Sequence, residues 1–116
     1  MAQQESNYST IFRKNPLAMI IIEKKNFKFL AVNPAANSIF GYPKEELLQR
    51  TFMDIVSVED QSYLLKELGK VTEDKDIQLY LRNIKKNGQY IDMHIIATQI
   101  NFEGKDCILK IASDIT

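Results

Sequence analysis

The sequence predicts an α+β domain, built as a single five-stranded antiparallel sheet with short helices and one longer helix packed on one face. Three observations predict it. Strand-like segments occupy both ends of the chain, and helical segments lie between them at about residues 34–71. Short turns separate the strands within each group, and such hairpins make neighbouring strands antiparallel. Helices that are segregated in this way cover one face of the sheet.

The first two strands follow a short helical turn, which Ile11 and Phe12 begin and Asn15-Pro16 ends. Residues 17–22 form an apolar, β-branched run of strand length. The charged segment 23–26 then turns the chain into a second strand at 27–32. The sequence therefore predicts a hairpin at this end of the chain.

A short helix with clear start and stop signals follows the second strand. Asn33 is a good N-cap, and Pro34 occupies the first helical position, where its missing N–H is not needed. Gly41 can adopt the left-handed conformation that ends a helix, and Pro43 prevents it from restarting. The helix has about two turns, so only packing can hold it in place. Its apolar stripe consists of Ala36, Ile39 and Phe40.

The longer helix is predicted over about residues 58–71. Ser57, with an acidic residue three positions later, resembles a capping box. Leu64, Leu68 and Val71 then recur at helical spacing on one face.

Three strands occupy the last third of the chain. Residues 77–82 alternate between apolar and polar, and Asn87-Gly88 is a strong hairpin signal. The next strand extends from 90 to about 100, and a turn with Gly104 leads to the final strand. Alternation in that strand groups Cys107, Leu109 and Ile111 on one face.

Length, charge and cysteine content limit the classes of function that the protein can have. The 116 residues make one domain, with residues 1–10 as a polar lead-in and 11–116 as the folded unit. Fifteen basic and fifteen acidic residues cancel, which argues against nucleic acid as a partner. The apolar run 17–22 is too short to insert into a membrane, and no signal peptide precedes it. One cysteine fits a reducing compartment, so we expect a cytoplasmic protein.

The order of several short motifs resembles the PAS domain family of sensory modules. The resemblance covers about residues 11–116 and implies a module that biases an output domain joined beyond Thr116, such as a histidine kinase or a cyclic-dinucleotide enzyme. Pro43 and Gln49 depart from the family pattern, which usually has Ser or Thr and Gly there, and leave the chain path at 42–53 open. The motifs are Val32-Asn33-Pro34-Ala35-Ala36, Phe40-Gly41-Tyr42, Glu45-Glu46-Leu47, Ser57-Val58-Glu59-Asp60, Lys85-Lys86-Asn87-Gly88 and Asp114-Ile115-Thr116.

The resemblance to PAS domains also argues against two cofactors, although it does not identify one that binds. The flavin-adduct subgroup of PAS domains carries a reactive cysteine where Phe52 stands here, and an asparagine where Thr51 stands. Haem-binding PAS domains use a histidine on the long helix, and residues 58–71 contain none. A covalent flavin adduct and a histidine-ligated haem are therefore disfavoured, and the cofactor, if any, is unknown.

Catalytic patterns are scarce, and we expect no enzyme activity. His94 and Cys107 are the only residues of their kinds, and both fall within strands that offer nothing to activate a thiol. We expect His94 opposite Met93 and Ile95, and Cys107 as a small buried residue. No set of metal ligands clusters in the sequence. Adjacent helical residues such as Glu45 and Glu46 point apart and make a poor acid–base pair.

We predict a pocket for a small apolar ligand between the sheet and the helices, with the alternative that the same side chains only form a core. Asp114 and Thr116 are the expected hinge toward the output domain. The predicted pocket residues are Ile39, Phe40, Phe52, Ile55, Leu64, Leu68, Leu81, Met93, Ile95 and Leu109.

Two other functions stay open at this point. The first is a ligand-free interaction module that forms a homodimer through an apolar outer sheet face, unless residues 8–14 fold back over that face. The second, more remote, is a small hydrolase or redox protein that uses Cys107 and His94. The residues expected to point outward for the dimer are Ile20, Ile22, Ile96 and Ile108.

Overall fold

Five strands form one antiparallel sheet in the order β2-β1-β5-β4-β3 in the computed structural model, which describes residues 9–116. The predicted fold class is confirmed. The lead-in predicted at 1–10 falls largely outside the described residues, so its boundary stays a prediction. The elements are α1 (9–14), β1 (Ala18–Glu23), β2 (Phe29–Val32), α2 (Pro34–Phe40), α3 (Lys44–Leu47), 3₁₀ turns at Phe52–Ile55 and Val58–Asp60, α4 (Gln61–Leu68), β3 (Ile77–Ile84), β4 (Tyr90–Phe102) and β5 (Lys105–Asp114).

Strand β5, the last in sequence, occupies the centre of the sheet. It pairs antiparallel with β1 on one side and with β4 on the other.

Gly88, in the β3–β4 turn, and Gly104, in the β4–β5 turn, have φ values of 88° and 81°. Glycine adopts this left-handed region without a steric penalty. The two predicted hairpin turns are therefore confirmed.

One face of the sheet, which we call the inner face, packs against α2, α3, α4 and the 3₁₀ turns. Directly paired residues lie on the same face, so the row Ile20–Lys110–Ala97 across β1, β5 and β4 marks it. The two aliphatic members of the row belong to a single buried apolar cluster with Phe40 and Phe52 from the helical side. The core thus lies between the inner face and the helices.

The predicted outward direction is wrong for three of the four isoleucines. Ile20, Ile22 and Ile108 are fully buried in the core cluster, whereas Ile96 does point outward. Leu109 pairs with Ile21 on the opposite, outer face, so its placement in the pocket is wrong as well. Residues 18–22 of β1 and residues 107–109 of β5 are apolar at successive positions, so alternation alone cannot tell which face is inward.

The helix predicted at 58–71 is shorter than expected. A 3₁₀ turn at Val58–Asp60 precedes α4, which ends at Leu68 after eight residues. The side chain of Ser57 makes no capping hydrogen bond. The Asp60 carboxylate instead accepts from the backbone N–H of Arg82 at 2.7 Å and ties this turn to β3. A tertiary contact therefore replaces the predicted capping box.

Candidate ligand site

Asn33 positions the helices that cover the inner face. Its buried Oδ1 accepts from the backbone N–H of Ala36 at 3.0 Å, as an N-cap does, and from that of Met19 at 2.9 Å. Its Nδ2 donates to the carbonyls of Phe12 and Leu17, both at 3.0 Å. One side chain thus joins α1, β1 and the start of α2.

The far end of α2 is fixed by Gly41 and by the β3–β4 turn. Gly41 has φ 79° and donates its N–H to the carbonyl of Asn37 at 2.9 Å. The backbone N–H of Lys86 donates to the carbonyl of Phe40, also at 2.9 Å. The Phe40 ring is consequently held, fully buried, against the core cluster.

Phe52 covers the middle of the inner face from a four-residue 3₁₀ turn, Phe52–Ile55. Its backbone N–H donates to the carbonyl of Phe27 at 2.8 Å. The Asp54 carboxylate accepts from the N–H of Thr51 at 3.0 Å and fixes the start of the turn. The ring meets that of Phe29 edge to face, with centroids 6.0 Å apart. Phe52 is therefore anchored by its backbone and packed by its ring.

Lys110 is the unexpected residue of the inner face. Its side chain is fully buried, and its Nζ lies 2.9 Å from the centroid of the Phe52 ring. Among residues 9–116 this nitrogen has no hydrogen-bond partner. Removal from water disfavours the ammonium form and lowers the pKa of Lys110 well below its ordinary value. The core thus contains an amine whose N–H groups meet only an aromatic ring.

Nine of the ten predicted pocket residues lie in the core cluster or pack directly against it, and Leu109 is the exception. Sequence reasoning missed Lys110, because a single lysine in an apolar strand usually marks the solvent-facing side. The available signal was that its neighbours at i±2, Ile108 and Ala112, are apolar, so that a face containing Lys110 could also be the buried one.

Residues 113–116, which we call the junction, end the described chain next to Asp92 of β4. The Asp114 carboxylate accepts from the N–H of Thr116 at 2.8 Å, and hydrogen bonds from Thr116 lower the pKa of Asp114. Thr116 Oγ1 accepts from the N–H of Asp92 at 3.2 Å. The N–H of Ile115 donates to the carbonyl of Asp92 at 3.0 Å. A few local hydrogen bonds therefore hold the junction to the sheet.

A family model described as a PAS domain matches residues 16–116, which is most of the chain. The chain belongs to the PAS domain family. The resemblance of the sequence motifs is thereby confirmed, and the PAS architecture accounts for the helices on a single sheet face.

Several solved structures share the PAS fold, and one curated sensor is similar in sequence. The PAS domain of the HTR-like protein from Haloarcula marismortui superposes with a TM-score of 0.86 at 19% identity, covering 98% of this chain and 93% of that one. A domain of a sensory box sensor histidine kinase/response regulator from Geobacter sulfurreducens gives 0.81 at 22% identity, covering 96% and 94%. The methyl sulfide methyltransferase-associated sensor of Methanosarcina acetivorans is 24% identical over the whole chain, which spans only 12% of that relative.

The PAS domain does not bring His94 and Cys107 together. His94 lies on the outer face, as predicted, and its Nε2 is 2.9 Å from Oε1 of Gln78. Cys107 pairs with Ile100, six positions farther along β4, or about 20 Å away. Burial raises the pKa of the Cys107 thiol, which disfavours the reactive thiolate. The geometry therefore gives no support to a Cys–His nucleophile pair.

Residues 9–116 contain neither a cluster of metal ligands nor a membrane-spanning helix. In that range, no three side chains of His, Cys, Asp or Glu come close enough to share a metal ion. None of the helices there has the length and apolar character needed to cross a membrane.

Proposed function

We propose that this PAS domain is a sensory module that binds a small ligand between the inner face and the Phe52 turn, and that binding biases an output domain joined beyond Thr116. The observation that carries the proposal is the course of β5. The strand contributes Lys110 to the buried interior and, four residues later, Asp114 to the junction. A change at the interior thus has a short, rigid path to the end of the domain.

Binding biases the output only if the ligand prefers one of two arrangements of the junction. Each tenfold difference in affinity between the two arrangements supplies about 1.4 kcal/mol. The junction is suited to such a switch, because only two hydrogen bonds join it to Asp92 at the domain surface, and a third lies within it between Thr116 and Asp114. Such surface contacts open at low free energy compared with the core.

The ligand that we propose is neither a covalently bound flavin nor a histidine-ligated haem. Phe52 occupies the position at which the resemblance expects the flavin-reactive cysteine, and its ring fills that place in the core. The only histidine, His94, lies on the outer face and away from α4. We therefore expect a ligand that is neither covalently bound flavin nor histidine-ligated haem.

Native mass spectrometry and an absorption spectrum of freshly purified protein test the proposal. A retained small molecule is expected, and amide exchange at residues 113–116 should change when that molecule is removed. Protein without any bound species, together with exchange rates that no small molecule alters, would argue against a sensor.

The alternative proposal is a homodimer that forms through the outer sheet face without a ligand. Ile96 of β4 is 39% exposed on that face. Apolar surface that is exposed on a sheet face can form a contact surface. Light scattering over a range of concentrations tests it, with Ile96→Lys as the variant that should dissociate the dimer. A monomer at high concentration would exclude this alternative.

A further inference from the structure

The surroundings of Lys110 provide no charge of either sign. On the inner face it lies next to Ile20 of β1 and Ala97 of β4, and Ala112 follows two positions along β5. Phe52 covers it from the helical side. None of these four neighbours titrates, and burial is the one cause that displaces the pKa of Lys110.

A buried amine in such surroundings calls for a partner. An ammonium beside an aromatic ring gains less from the ring than its desolvation costs. A neutral amine avoids this cost but leaves its N–H groups without an acceptor. An acceptor that carries one negative charge would correct both deficits, because it would accept hydrogen bonds and balance the ammonium.

We propose that Lys110 anchors a small organic monocarboxylate, whose carboxylate binds Nζ beneath the Phe52 turn and whose apolar body packs in the core. This inference rests on the proposed sensory function and names its ligand class. A monocarboxylate matches one ammonium, whereas a phosphate dianion would bring surplus charge into an apolar core. The alanines at 97 and 112 keep the neighbouring positions of the inner face small, and the ring of Phe52 must shift to admit the ligand.

Binding of the carboxylate to Lys110 is coupled to the uptake of a proton, and this uptake can be measured. At neutral pH the free ligand is a carboxylate, because its pKa is close to that of an ordinary carboxyl group. At a pH above the pKa of the free amine, Lys110 is neutral and takes up one proton from solvent as the ion pair forms. The affinity therefore falls about tenfold for each unit that the pH rises above the pKa of the free protein's amine.

Calorimetry on the 116-residue chain tests the inference, with hexanoate as the probe and uncharged hexanamide as its matched control. Titrations in Pipes and in Tris, which differ in heat of ionisation, count the protons. Above the pKa of the free Lys110 amine, we expect hexanoate to bind with uptake of about one proton, and hexanamide to bind at least about tenfold more weakly. Binding that is equal for both compounds, or that takes up no proton, would overturn the inference.

Substitutions test which residue binds the carboxylate of hexanoate. Lys110→Met should weaken hexanoate binding by about 10- to 100-fold, the loss expected for a charge-assisted hydrogen bond. Lys105→Met, on the same strand but exposed, should bind hexanoate like the wild type. Phe52→Leu should tighten binding, since a smaller side chain lies over Nζ. Unchanged affinity in Lys110→Met would overturn the inference, and unchanged affinity in Phe52→Leu would exclude the site beneath the turn.

Other outcomes separate this inference from the proposed function. If hexanoate binds as expected but exchange at 113–116 does not change, the carboxylate site stands and the sensory function fails. If a different, uncharged ligand co-purifies and hexanoate does not bind, the function stands and the carboxylate inference fails. Labelling of Lys110 by butanal and cyanoborohydride without any carboxylate binding would show an imine-forming amine and also overturn the inference.

Discussion

Lys110 and Asn33 are both buried polar residues, and their hydrogen bonding is opposite. Asn33 satisfies both of its polar atoms with backbone groups from three elements. The Nζ of Lys110 has no hydrogen-bond partner within the described chain. A buried polar group stabilises a fold only when its partners are present. At the residue scale, the two side chains should therefore respond to substitution with opposite signs.

Lys110→Met should raise the free energy of unfolding by about 1–3 kcal/mol at pH 7, because methionine is only one atom shorter and removes the unpartnered amine. The lowered pKa of Lys110 means that the unfolded chain binds more protons than the folded one. Wild-type stability should therefore rise with pH up to the ordinary lysine pKa near about 10.4, and the variant should lose this rise. Urea unfolding between pH 6 and 10 measures both effects.

The exposed Lys105→Met variant is the control for this series. Its stability should stay within about 0.5 kcal/mol of the wild type at every pH. A Lys110→Met protein that is less stable than the wild type would contradict the assignment of an unpartnered amine.

Asn33→Ala should lower the free energy of unfolding by about 2–4 kcal/mol, because it removes a helix cap and leaves buried backbone groups without partners. Asn33→Asp is the informative comparison. Aspartate can accept from Met19 and Ala36 but cannot donate to the carbonyls of Phe12 and Leu17. Thermal unfolding should show Asn33→Asp destabilised as well, and a fully stable aspartate variant would contradict the role of Nδ2.

At the element scale, the helices have only four to eight residues, and α2 shows how such a short helix is held by ties at both of its ends. None is long enough to be stable alone. α2 starts at Asn33 and ends at Gly41, where the adjoining carbonyl of Phe40 accepts from Lys86 in the β3–β4 turn. The start and the end of this helix were readable from the sequence, because both depend on local residue chemistry.

Gly41→Ala should lower the free energy of unfolding by about 1–2 kcal/mol, because φ 79° is unfavourable for any residue with a Cβ. The added Cβ would meet no atom closer than 3.8 Å, so the cost is conformational and not steric. Gly69→Ala is the matched control, since Gly69 ends α4 with an ordinary φ of −64°. Chemical denaturation should show little change for Gly69→Ala, and equal losses for both would contradict this account.

Two element-scale expectations failed for a shared physical reason. The helix at 58–71 was too long because Asp60 hydrogen-bonds to β3 instead of continuing a helical cap, and that contact is not visible in local sequence. The inward side of β5 was reversed because its apolar residues occupy both faces. Tertiary contacts decide such cases, whereas the hairpin turns at Gly88 and Gly104 depend on backbone chemistry that the sequence records directly.

At the scale of the whole molecule, β5 is both the central strand and the strand that leads to the junction. It contacts β1 and β4 along most of its length, so it moves only with the sheet. The junction is different, because Asp114, Ile115 and Thr116 are exposed and held by single hydrogen bonds. A ligand-driven change is therefore expected to show at 113–116 before it shows in the sheet.

Thr116→Ala should speed amide hydrogen exchange at Asp92, because it removes the Oγ1 acceptor of that N–H. Global stability should change by less than about 0.5 kcal/mol. The lowered pKa of Asp114 means that its contact is complete above about pH 4 and is lost as the pH falls through the folded value. Exchange at the Thr116 amide should therefore exceed its intrinsic pH trend only in acid, and Ser62→Ala on α4 should alter neither site.

The pKa of Lys110 is the most direct measure of the ligand site. It can be followed by NMR of the chain with ¹³C-labelled lysine Cε, using Lys110→Met to assign the signal. We predict that this signal titrates below all other lysines in the free protein, and that hexanoate moves its titration to higher pH. A Lys110 signal that titrates together with the exposed lysines, with and without hexanoate, would contradict a dry, unpartnered amine in the core and the carboxylate site built on it.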